Sequence, residues 1–115
     1  MRAIFVVVCL LLSAASASAE MTVKEFFNRL DGANASEKEF LQTILGQVGN
    51  GLSWANSRLG YLKQQRLYCP PANVAFTDAQ EVAILRRHSE SNPRILQAPY
   101  GLGLLISFEE EFRCR

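Results

Sequence analysis

Three cysteines and a single histidine are all the thiol and imidazole chemistry in this 115-residue chain. His88 is the one side chain suited to general-base work near neutral pH, so a small hydrolase of the Ser-His-Asp or Cys-His kind would have to be built on it. Two cysteines and one histidine, Cys69, Cys114 and His88, show none of the close spacing of a zinc site. Gly101-Leu102-Gly103 is no phosphate loop, because no Lys-Ser or Lys-Thr follows it and no strand-turn-helix unit precedes it. Arg86-Arg87 and Glu109-Glu110-Glu111 read as solvated helix ends, the first pair favourable to the helix dipole and the glutamates unfavourable. The expectation is a chain with no catalytic residue, no metal and no cofactor, whose one covalent device is a disulfide.

Which thiols can pair depends on the first residues. Met1-Arg2 is a positive start, Ile4 to Leu12 is an unbroken apolar run, and Ala17-Ser18-Ala19 is a small-x-small site that a signal peptidase accepts, with Glu20 as the new N-terminus. A spanning helix needs about 20 apolar residues, roughly twice this run, so the expectation is a cleaved export signal over 1–19 and no stable membrane insertion. Cys9 leaves with that signal. Cys69 and Cys114 remain, and in an oxidising compartment two thiols mean one bridge. Closing about 46 residues would stabilise the fold by roughly 4 kcal/mol on chain entropy, comparable with the whole net stability of a small domain. Residues 20–115 amount to one domain near the lower size limit for a self-sufficient core. Loss of Arg2 balances 11 basic against 11 acidic residues, so no basic field exists to hold nucleic acid or an anionic membrane.

The elements that would position these residues are helical. Thr22 with Glu25, Ser36 with Glu39 and Thr77 with Gln80 each match the capping box, in which a hydroxyl caps an amide three residues on and a Glu or Gln reaches back. The first helix runs from Thr22 to about Leu30 on Val23, Phe26, Phe27 and Leu30, ended by Asp31-Gly32-Ala33-Asn34. The second carries Leu41, Leu45, Val48, Leu52, Ala55 and Leu59 inward, widened by Phe40 and Ile44, with Trp54 beside the stripe and packed in the core, and Gly60 as the stop. Gly46, Gly49 and Gly51 interrupt it at about 1 kcal/mol each, which requires either a very closely packed neighbour or a bend or break near Gly49-Asn50-Gly51. Cys69-Pro70-Pro71 forbids helix within the Tyr61–Phe76 connection. A third helix follows Thr77 to about Glu90, burying Val82, Leu85, Ala79 and Ile84, and Asn92-Pro93 stops it. A last helix from Pro99 presents Leu102, Leu105, Phe108 and Phe112, although Tyr100 to Phe108 also suits a short buried strand.

The segments Phe40-Leu41-x-x-Ile44-Leu45-Gly46-x-x-x-x-Gly51-Leu52-x-Trp54-Ala55-Asn56, Leu67-Tyr68-Cys69-Pro70-Pro71, Phe76-Thr77-x-x-Gln80 and Phe112-x-Cys114 together resemble the Rap/Tai family of type VI secretion immunity proteins. The resemblance covers about Phe40 to Cys114. Phe112-Arg113-Cys114 departs from the Phe-Pro-Cys ending of some members, and a further cysteine pair found in others is missing. The resemblance implies a small all-α bundle of about four helices, HdeA-like in arrangement, located in the periplasm. It also implies a homodimer that binds and blocks a peptidoglycan amidase effector. Loops on a rigid helical frame present side chains at little ordering cost. The expected contact segments are accordingly Tyr61 to Tyr68 and Ser91 to Ala98, with Tyr61, Lys63, Gln64, Arg66 and Arg94 as partner-binding residues. The shared architecture leaves open an acid-stress chaperone that loosens at low pH.

Overall fold

A computed structural model describes residues 20–115; the expected export signal over 1–19 lies outside the described residues. Two capping boxes form as the sequence predicts. Thr22 accepts from the Glu25 amide at 3.2 Å while Glu25 accepts from the Thr22 amide at 2.9 Å, and helix α1 spans Val23–Gly32. Thr77 and Gln80 repeat the exchange at the start of α3, Asp78–Ser91.

The third expected box does not form. Helix α2, Ala35–Tyr61, starts before Ser36, because Asn34 takes the cap and its side chain accepts from the Glu37 amide at 2.9 Å. Asparagine is as good a cap as serine. The earlier start also places Glu37 within 3.0 Å of Arg29, tying α1 to α2 across a two-residue turn.

Helix α2 continues through its glycines without a break, and α4, Tyr100–Glu111, is a helix rather than a strand. Between α3 and α4 the connection forms a 3-10 turn, Pro93–Gln97, which buries Ile95. The architecture is thus an all-α bundle of four helices. α3 packs against α2, α4 and the 3-10 turn, while α1 closes the bundle against α2, α4 and the same turn. The N-terminal segment is pinned beside Pro99 by Val23 N–H to the Ala98 carbonyl and Tyr100 N–H to the Met21 carbonyl, each 2.9 Å.

Phe26, Leu41, Leu45, Leu85, Ile95, Leu104 and Val23 form the fully buried centre. Several expected core positions lie elsewhere. Phe40 is 59% and Trp54 73% exposed, and Ala55, Ala79 and Leu102 are also on the surface. The physical reason is common to both long stripes: the inward faces mix leucine and phenylalanine with residues that have no apolar side chain. On α2 the buried line passes through Gly46, Gly49 and Asn56, which turns Trp54 about 200° away from Asn56 at 100° per residue. On α4 it passes through Gly103, Leu104, Ser107 and Phe108. A methyl at Gly103 would overlap the Val23 side chain, so the missing side chain is what allows α4 to lie against α1. The bond joining Cys69 to Cys114, 45 positions apart, is present. No helix among the described residues is long and apolar enough to cross a membrane.

Candidate functional site

The first turn of α3 crosses the middle of α2 where two glycines and two carboxylates share the same three-residue stride. A methyl at Gly46 would overlap the Asp78 carboxylate, and one at Gly49 would overlap that of Glu81. The glycines cost helix propensity and return space. Glu81 uses that space to lie inside the protein, 5% exposed, and its Oε2 is buried without a hydrogen-bond partner among the described residues. Burial pushes its carboxyl up to about 7, and the Asp78 charge adds to the rise.

Glu81 lines a cavity of about 210 Å³ between α2, α3, α4 and the irregular stretch of connecting chain from Tyr68 to Phe76. Tyr68, Phe76 and Phe108 supply aromatic walls, with Tyr68 and Phe108 ring centroids 5.1 Å apart and Phe76 stacked on both Phe108 and Phe112. Exposed Asn50, Ser53, Val74 and Ala75 form its rim. Burial raises the Tyr68 hydroxyl to about 12, with the Glu81 charge as a second cause, so the phenol stays protonated.

Two fastenings hold the connecting chain in place. Asn56, buried on α2, donates from Nδ2 to the Tyr68 carbonyl at 2.8 Å and accepts at Oδ1 from the amides of Leu67, at 2.8 Å, and Tyr68, at 3.3 Å. This satisfies a buried amide with backbone partners on both sides. One residue on, the Cys69–Cys114 disulfide and the bond from the Cys69 amide to the Phe112 carbonyl, 2.6 Å, attach the chain to the end of α4.

The residues expected to meet a partner fall into two groups. Tyr61, 77% exposed, ends α2; Lys63 stands in the left-handed region at φ 57°, and its amide and that of Gln64 close the helix on Gly60 and Leu59. The stem of Arg66 lies over Gly60. These four side chains are exposed, and the Arg66 carbonyl lies 3.8 Å from the Cys114 sulfur. Arg94 is exposed on the 3-10 turn that precedes α4, whereas the disulfide follows α4.

His88 is held rather than free: its Nδ1 is 3.1 Å from Glu110 and its Nε2 2.6 Å from Glu111, while Arg87 pairs with Glu111 at 2.6 Å. Both ring nitrogens can donate at once only as imidazolium. Among the described residues, both hydrogen-bond partners of the ring are carboxylates. The charged runs Arg86-Arg87 and Glu109-Glu110-Glu111 include cross-helix clamps: Arg86 pairs with Asp31 at 2.6 Å and lies 4.3 Å over the Phe27 ring. Arg86 holds the Asp31 carboxyl below its usual range, and Arg87 and then His88 do the same for Glu111.

Glu81 and Asn56 were not singled out by apolar periodicity, which counts only apolar side chains. The available signal was polar residues on inward stripes: Glu81 is four residues before Leu85, and Asn56 four after Leu52. The paired spacing of Gly46 and Gly49 was visible, but its partner helix was not. Compared with protein-family models, with curated proteins and with solved structures, the chain matches none of them.

Proposed function

We propose that this chain is an exported, periplasmic binding protein that neutralises a peptidoglycan amidase effector by occlusion, as its resemblance to the Rap/Tai immunity proteins implies. The observation that favours a binding role is the outer face of α2. Phe40, Trp54 and Tyr61 are all exposed and, from their spacing, lie within about 60° of one another around the helix. Large exposed aromatics are costly to hydrate and anchor many interfaces. This stripe continues into exposed Leu62 and Leu67, which belong to the expected contact segment that also carries Lys63, Gln64 and Arg66. Asn56 and the disulfide fasten that segment, so a partner would meet a surface already ordered.

Co-expression with amidases encoded beside this gene, followed by affinity measurement, is the direct experiment. A complex is expected, with Trp54→Ala and Tyr61→Ala each weakening it by more than tenfold, the scale of an interface anchor. Absence of complex or protection across the candidate amidases would remove the assigned partner. Unchanged affinity in both variants would move the interface off α2.

A further inference from the structure

We propose that the cavity over Glu81 is a binding site for an alkylammonium group, the chemistry of a small primary amine or of a lysine side chain. The geometry is that of a site with one side missing. A carboxylate oxygen is buried without a donor among the described residues, the state that costs most inside a protein, and the side chain that carries it lines an open cavity. A cation entering from the rim would give it a charged donor. Tyr68, Phe76 and Phe108 line the same cavity, and the faces of aromatic rings attract organic cations while Val74 and Ala75 on the rim can take an alkyl stem.

Size and donor set narrow the ligand. The cavity, at about 210 Å³, is smaller than the several hundred Å³ that drug-sized ligands and cofactors occupy, and it suits a group the size of one side chain. A hard metal ion is a poor match. Calcium takes six or more oxygens and magnesium six, and no cluster of three or more His, Cys, Asp or Glu occurs among the described residues. The site is independent of the amidase reading, since it asks only for an ammonium group whatever carries it.

The charges that face Glu81 set a pH dependence. Asp78 is its charged neighbour on α3, and Tyr68 stays neutral on the connecting chain. The lining residues from α2, Gly49, Asn50 and Ser53, and from α4, Phe108, carry no charge. With a carboxyl that titrates near 7, the ionised fraction rises about tenfold between pH 6 and pH 8, and ammonium binding should strengthen by about the same factor.

The test is a titration of the oxidised protein with n-butylammonium chloride, with a short peptide bearing one lysine, and with n-butanol as the neutral control, followed by amide NMR shifts. Saturable shifts at Gly49, Tyr68 and Glu81 are expected with the amine at pH 8, about tenfold weaker at pH 6, and absent with butanol. Glu81→Gln should abolish them. Ser53→Lys, on the rim, should place an internal ammonium in the cavity and block the added amine while leaving the fold intact. Binding by the peptide as well as the amine would identify a lysine side chain as an acceptable source; binding by the amine alone would identify a free small molecule. No saturable shift at pH 8, equal binding by butanol, or unchanged binding in Glu81→Gln would overturn the proposal.

Discussion

The two ends of α4 are built on opposite terms. Where α4 begins, it meets α1 and the 3-10 turn through Val23, Phe26, Ile95 and Leu104, all nearly or fully buried, with Gly103 allowing backbone-close approach. Where it ends, Phe108 and Phe112 meet a length of irregular chain, a disulfide, and a cavity that contains a carboxylate. The first end is stabilised by removing apolar surface from water and needs no covalent help. The second keeps a polar group in a poor environment and relies on Asn56 and a covalent bond to hold its wall. Stability and binding capacity are separated along one short helix.

The strongest way to break this comparison is at the closed end. Phe26 is fully buried beside Phe27 and Tyr100, so Phe26→Ala should cost about 3 to 5 kcal/mol in urea unfolding, enough to leave the domain marginal. A loss below about 1 kcal/mol would mean that this end is not the stabilising one. At the open end, Cys114→Ser should cost up to roughly 4 kcal/mol by loop closure. The more diagnostic readout is hydrogen exchange, where the amides of Tyr68 and Cys69 should lose protection before those of Phe26 and Leu104.

The most discriminating change is Glu81→Gln. The folded carboxyl titrates near 7 against 4.5 for the free group, so folding favours the protonated form. That contribution is fully present below about pH 4.5 and is lost as pH rises through 7, a swing on the order of 3 kcal/mol. Glu81→Gln should raise stability at pH 8 by a comparable amount and change little at pH 5. Asp31 and Glu111, held low by Arg86 and Arg87, act in the opposite sense: the stability they contribute is present at neutral pH and is lost as pH falls below the ordinary carboxyl range. Denaturation midpoints that rise from pH 8 to pH 5 and fall only below pH 4 would fit both. Such a profile runs against an acid-loosened chaperone, except at the lowest pH.

The sequence made local events readable and left the meeting of helices hidden. Thr22 and Thr77 could be assigned because a capping box closes within four residues, and Cys69 with Cys114 because pairing two thiols leaves one choice. Asn34 displaced Ser36 because two good caps stood within two residues and propensity alone does not rank them. Trp54 and Leu102 were misplaced for a different reason. Their apolarity argued for burial, while the inward places belonged to Asn56 and Gly103, whose fitness depends on a neighbouring helix that no periodicity displays. Glu81 belongs to the same class, since only the space above Gly49 makes a buried glutamate tolerable.

The matched strides of Gly46-x-x-Gly49 and Asp78-x-x-Glu81 also supply a recognition pattern that does not depend on overall similarity. Two gaps on one helix and two acids on another, both three apart and joined by a connection bearing Cys-Pro, constrain each other like teeth and notches. A chain that kept the acids but filled the notches would have to displace the Asp78 carboxylate and turn that of Glu81 outward. Distant relatives sharing this joint could be found by testing the two pairs together, even where every other position had drifted.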